Sequence, residues 1–332
     1  MKHSLSKGFT LVELMISMLL GLIVVGGVIS VMLANSRSYR TNEGLGQVQE
    51  SARTAFELIS RELRQSGGNG CDNNNRTAND LTAGTVWWQN WFGVQGFESA
   101  ETDTAVANGT GLLARVDGTD SLHIQAVESP LPVLLHNAAA TTMSINAVST
   151  PFVANDVMLV CDFDHAAIFR ATAYDSSTRT LTHAVGGTAP GNCSSGLGFP
   201  AICDGGIGNI YVFPVNSQVA RLSASAWYVG NNNRPAEGGR SLYRMRLDSG
   251  GNVITEEMVS GVSDMQLQYG LNGSTDIIDA DDAAMDWAQV NSVFISLTVD
   301  SIDTNVTTDT AVNSGRIQRT FNYHITLRNR VP

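Results

Sequence analysis

The sequence predicts an α+β chain: one long N-terminal helix on a largely antiparallel β head. Three observations lead there. No charged residue occurs from Leu14 to Ala34. Apolar residues then recur at spacings of three and four from Leu45 to Leu63. Beyond Gly67 the chain changes to short β-branched runs among Gly, Asn, Ser, Thr and Asp, with no second long helical period and no βαβ rhythm.

The first element is a membrane-length apolar helix. Leu14–Ala34 is 21 residues, which at ~1.5 Å per residue spans ~31 Å, enough for a bilayer core. Lys2 and Lys7 precede it and set the N-terminus in the cytoplasm by the positive-inside rule. A secretory signal would carry its small-residue cleavage site after the apolar run. Here Gly8 comes before it, so the run would survive processing. Glu13 stands alone at the head of this span, at a cost of about 2.5–3.5 kcal/mol on insertion scales, which marks it as functional.

The same helix continues into water. Leu45, Val48, Ala52, Phe56, Ile59 and Leu63 form one apolar stripe. Glu50, Arg53, Glu57, Arg61, Glu62 and Arg64 fill the other face, with Glu57 and Arg61 spaced to pair at i,i+4. Ser66-Gly67-Gly68 ends the pattern. The expected helix runs from about Phe9 to Gln65, with residues 9–34 in lipid and residues 35–66 amphipathic.

Residues 67–332 form the head. Expected strands are 122–127, 143–148, 157–161, 167–174, 210–215, 220–229, 241–247, 265–271, 290–299 and 317–327. The length fits one large head or two sub-sheets. A stretch dense in Gly and Pro near 188–208 is the expected seam. Trp87, Trp88, Trp91 and Phe92 form an aromatic knot, read as core packing with a partner-facing patch as the alternative.

Four cysteines remain: Cys71, Cys161, Cys193 and Cys203. All follow the membrane span, where an oxidising compartment favours two disulfides with three connectivities open. The favoured pairing is Cys193–Cys203, closing a loop in the seam, and Cys71–Cys161, tying the segment after the helix to a central strand. No CxxC and no His at ligand spacing supports zinc.

Charge narrows the function classes. The only lysines are in residues 1–8, and beyond them 18 Arg face 31 Asp and Glu, a net charge of −13. Such a chain lacks the electrostatic footprint of a non-specific nucleic-acid binder. It lacks GxSxG, HExxH and strand-associated GxGxxG motifs. No catalytic residue and no cofactor is expected. Arg240, Arg244 and Arg246 read as a solvated strand face. The acidic run Asp276, Asp279, Asp281, Asp282 and Asp286 reads as a solvated loop, with calcium binding as the alternative.

The run Gly8-Phe9-Thr10-Leu11-Val12-Glu13-Leu14 resembles the class III signal of type IV prepilins and type II secretion pseudopilins. The resemblance implies a pilin-like fold and removal of residues 1–8 by a prepilin peptidase, between Gly8 and Phe9. It also implies N-methylation of Phe9, and pairing of Glu13 with the amine of a neighbouring subunit. A second resemblance lies toward the C-terminus. The order Val259-Ser260-Gly261-Val262-Ser263-Asp264, then Trp287, then Leu327-Arg328-Asn329-Arg330 is similar to the PilW minor pilins and their GspJ pseudopilin counterparts.

Together these imply a non-catalytic minor pilin that helps prime type IV pilus assembly. It would move from the inner membrane, with a periplasmic head, to an extracellular place at or near the pilus tip. Its implied partners are the inner membrane, the peptidase, other minor pilins, the major pilin and a PilY-type tip adhesin. The alternatives are a J-class secretion pseudopilin, which the large head disfavours, and an adhesive or DNA-contact head.

Overall fold

The computed structural model describes residues 10–71, 76–84, 86–147, 152–307 and 313–330. Helix α1 spans Leu11–Leu63. It ends short of Gln65 because the backbone tightens into turns over residues 64–67. Phe9 lies outside the described residues.

The strands follow in chain order: β1 (Arg76–Asn79), β2 (Val94–Phe97), β3 (Ser121–Asn137), β4 (Thr142–Ile145), β5 (Val157–Cys161), β6 (His165–Arg170), β7 (Ala173–Asp175) and β8 (Thr180–Thr182). Next come β9 (Gln218–Asn231), β10 (Arg240–Leu247) and β11 (Val253–Ser260), then β12 (Val262–Leu271), β13 (Ile277–Ile278), β14 (Val290–Asp300) and β15 (Gln318–Thr326). β1–β11 make one sheet and β12–β15 a second, in the order β13-β12-β14-β15. Among the described residues the only parallel strand pair is β1 with β6. The fold is α+β, with a long N-terminal helix on a mostly antiparallel head.

Three large apolar cores organise the head, beside a small cluster of Val106, Tyr228 and Tyr243. The first lies between α1 and the smaller sheet and takes in Val48, Ala52, Ile59 and Leu63 from the helix. The alternating residues Met265, Leu267 and Tyr269 of β12 and Val293, Ile295 and Leu297 of β14 face them, as the two-residue strand period requires. Each fully buried Val, Ile or Leu is worth about 1.5–3 kcal/mol here. Phe56 stacks on Tyr323 of β15, with ring centroids 4.1 Å apart.

The other two cores lie along β5, β6 and one half of β9, where α1 does not reach. In the second core His136 and His183 meet through their Nε2 atoms at 3.1 Å. Burial pushes them down to about 4 and about 3 respectively. In the third, Trp88 is fully buried, with the Arg170 guanidinium 5.8 Å from its ring centroid. Trp87 and Trp91 pack half-buried against the same core, and Trp87 and Phe92 flank the His123 ring.

Two expectations fail here. Residues 210–215 form no strand. Pro214 lacks an N–H, and the Phe213 N–H donates to His136 Nδ1 at 3.0 Å instead of to a ladder. Residues 188–208 do not separate the sheets. Asn192 exchanges hydrogen bonds with the Arg170 backbone, and the Cys193 N–H donates to the Asp80 carbonyl, so the stretch is stitched onto the larger sheet. The chain passes between sheets at Gly261, between β11 and β12.

Candidate functional site

The helix has two working ends, and the N-terminal one is bare. Every described residue from Thr10 to Glu43 is exposed. The apolar stretch therefore has no partner within the chain, the opposite of a soluble core helix. Thr10 caps the helix, its Oγ1 accepting from the Glu13 N–H at 3.2 Å. Thr10-Leu11-Val12-Glu13 thus has the spacing of a capping box. The Glu13 carboxylate lies in the first turn, where the helix dipole favours negative charge. Gly8 and Phe9 lie outside the described residues.

The 301–307 loop of the head meets the helix at Thr41 and Gly44. A Cβ on Gly44 would lie 3.0 Å from Val306 Cγ1, so the missing side chain lets the 301–307 loop close on α1. One turn earlier, Thr41 Oγ1 donates to the Val306 carbonyl at 3.0 Å.

The C-terminal end is gripped by charge as well as packing. Glu62 points into the head, not into solvent as the helical wheel suggests. Its Oε2 accepts from Ser225 Oγ at 2.6 Å and from Trp227 Nε1 at 2.7 Å. Its Oε1 accepts from an Arg244 guanidinium nitrogen at 2.8 Å. Arg244 also bonds Glu256, which Arg246 reaches too. Bonds from Arg246 and Arg244 pull the Glu256 carboxyl down to about 2. These arginines therefore form a network joining helix to sheet; the solvated face expected for Arg244 and Arg246 is not observed. Arg240 donates to the Ser263 carbonyl. Nor do Glu57 and Arg61 pair: Glu57 takes Arg53 instead, at 2.8 Å.

The Leu327-Arg328-Asn329-Arg330 run closes the same junction. Leu327 is fully buried in the helix-facing core. Asn329 Nδ2 donates to the Gln65 and Ser66 carbonyls at 3.3 and 3.2 Å, in the turn that ends the helix. Arg330 turns inward and donates to the Trp287 and Phe92 carbonyls. Burial lowers its pKa, opposed by Asp286. Gly93 makes room for it: φ there is 72°, and a Cβ would lie 2.3 Å from the guanidinium. Arg328 alone points outward.

This junction matches a known family. A model of the type IV pilus-assembly protein W family, PilW, covers residues 226–329. A model of the prokaryotic N-terminal methylation motif covers residues 3–29. Over these two stretches the chain is similar to the PilW pilins and carries the prepilin-type methylation motif. The PilW match takes in Trp227, Arg244, Glu256, the whole smaller sheet and Asn329, which are the parts that hold α1. The central cores along β5 and β6 lie outside it. No curated protein and no solved structure gives a significant match. The methylation motif and the bare apolar helix mark a membrane-anchored pilin, and the PilW match ties it to other pilins and the pilus machinery.

The cysteines pair within the head. Cys71 joins Cys161 on β5, across 90 residues of sequence, and Cys193 joins Cys203, across 10. The acidic stretch is an exposed loop. Asp282 and Asp286 each accept from a backbone N–H two residues on, and Asp279 accepts from Gln268 Nε2. No group of three His, Cys, Asp or Glu suited to a metal occurs among the described residues. Sequence reasoning missed Glu62, Trp227 and Arg330. Glu62 is adjacent to the stripe residue Leu63, and a carboxylate on the shoulder of an apolar stripe is the one signal it gave.

Proposed function

We propose that this PilW-like protein is a non-catalytic minor pilin that helps prime type IV pilus assembly and resides at or near the filament tip. Residues 1–8 are a leader that prepilin peptidase removes at Gly8, and the new Phe9 amine is methylated. Residues 9–34 anchor the chain in the inner membrane with the N-terminus cytoplasmic. Residues 35–66 carry the head, residues 67–332, on the far side and later outside the cell. Other minor pilins, the major pilin and a PilY-type adhesin are its partners.

The observation that carries this reading is the position of Glu13. It is the one carboxylate on a helix segment whose apolar residues are all exposed from Leu11 to Leu33. In lipid such a charge needs a partner. The terminal amine of an adjacent pilin supplies one, and N-methylation preserves that charge.

Two substitutions separate pairing from capping. Gln at an N3 position keeps a capping box but removes the charge. Glu13→Gln and Glu13→Ala should both be processed at Gly8, and both should enter filaments poorly. Normal incorporation of Glu13→Gln would reduce Glu13 to a helix cap and sink the pairing role.

A further inference from the structure

The arginines of this acidic chain are mostly engaged. Arg53, Arg76, Arg221, Arg234, Arg244 and Arg246 each meet a carboxylate. Others, such as Arg115, Arg170, Arg316 and Arg330, are held by backbone carbonyls. Arg61, Arg64 and Arg328 are different. All three are exposed, and their guanidinium groups, like those of the scattered Arg37, Arg40, Arg179 and Arg319, have no ion-pair or hydrogen-bond partner among the described residues. Arg61, Arg64 and Arg328 converge on one open groove of about 710 Å³ at the C-terminal end of α1.

Helix geometry and the closing strand bring them together. Arg61 in the last turn of α1 and Arg64 at its C-cap, still in right-handed helical backbone, are three residues apart and hence on one face. Arg328 reaches the same groove because the two residues after it in one 3-10 turn are pinned, Asn329 to the helix end and Arg330 to the Phe92 carbonyl. The one carboxylate lining the groove, Glu128, accepts from Ser223 Oγ at 2.9 Å. Completing the helix C-terminus does not explain the cluster, because Asn329 already meets the Gln65 and Ser66 carbonyls. Three like charges in one groove repel one another until a counter-charge arrives.

We infer that this groove docks a carboxylate-rich segment of a partner protein. The chain as a whole carries net charge −11. A long polyanion such as nucleic acid would feel that whole field and be repelled. A short acidic segment feels only charges within a Debye length, about 8 Å at physiological salt, and meets the three arginines. Guanidinium groups suit it, since each can grip a carboxylate with two parallel hydrogen bonds. This assignment goes beyond the pilus reading and stands whether or not Glu13 acts as proposed.

The test uses the full chain in detergent and a fluorescent oligo-aspartate peptide, read by anisotropy. A single-stranded oligonucleotide and inorganic phosphate are the comparison ligands. The wild type should bind the peptide, and more weakly as salt rises. Arg61→Glu/Arg64→Glu/Arg328→Glu should weaken binding at least about tenfold, as loss of three exposed ion pairs predicts. Replacing the three by Lys should lose less, and Arg319→Glu, outside the groove, should change nothing. If the triple variant does not fold, Arg328→Glu alone should still lower affinity. Absence of peptide binding, indifference to these substitutions, or preference for the oligonucleotide would overturn the proposal. None of these outcomes bears on processing at Gly8.

Discussion

The Glu62 carboxylate on α1 accepts a hydrogen bond from the indole N–H of Trp227 on β9 at 2.7 Å. This contact links the helix that anchors the protein to the sheet that forms most of its head. Around it, Ser225 and Arg244 complete a polar grip at the edge of an otherwise apolar interface.

Glu62→Ala should therefore destabilise the helix–head junction. It leaves the buried Trp227 N–H and the Ser225 hydroxyl without their acceptor, at a cost of about 2–4 kcal/mol. Arg244→Ala should cost less, because Glu62 keeps two donors. In a double-mutant cycle the two should couple by about 1 kcal/mol or more, since they share one network. Thermal unfolding of the four proteins measures it, and purely additive losses would count against a shared network.

Gly93→Ala should be among the most damaging single-methyl changes. It places a side chain where φ is positive and where the Arg330 guanidinium lies. A loss of about 2 kcal/mol or more follows from strain and displacement together. Arg330→Ala in the same background should then remove part of the penalty; if it does not, the clash is not with Arg330.

Asp80 gives a pH signature. Burial raises its pKa to about 6, against a Ser194 bond that favours the charged form. Below the usual carboxylate range both folded and unfolded chains hold the proton. Between about pH 4 and pH 6 the unfolded chain releases it while the folded chain keeps it, so stability falls as pH rises. Asp80→Asn cannot ionise. Its stability relative to wild type should rise across that window by about 2 kcal/mol and then level off. A difference that does not vary between acid and neutral pH would rule this out.

The two disulfides should differ in weight. On chain entropy, the link across 90 residues, Cys71–Cys161, contributes about 4–5 kcal/mol, and the link across 10, Cys193–Cys203, about 3 kcal/mol. Paired Ser substitutions compared by denaturant unfolding test the order. The Cys193–Cys203 variant should retain the helix-facing core, which that loop does not enter.

Local patterns in the sequence showed the helix, its apolar stripe and most strands, because each follows from a short period. Val48, Ala52, Ile59 and Leu63 are buried as their spacing requires. The partners of polar residues were not legible. Glu62 looks solvent-facing on a wheel, and only the fold brings Trp227 and Arg244 to it. Glu57 had arginines four residues away on both sides, so spacing alone could not choose Arg53 over Arg61. Residues 210–215 carry β-branched side chains but hold Pro214, and the imidazole that takes the Phe213 N–H lies 77 residues away in sequence. The separate placements of Leu327, Arg328, Asn329 and Arg330 depend on where α1 ends, which no local pattern records.

A processed, membrane-anchored pilin leaves a mark at its N-terminus. The most direct measurement is the intact mass and N-terminal sequence of the protein purified from its own membranes. The chain should begin at N-methylated Phe9, with all four cysteines oxidised. A chain still beginning at Met1, in cells that hold an active prepilin peptidase, would contradict this.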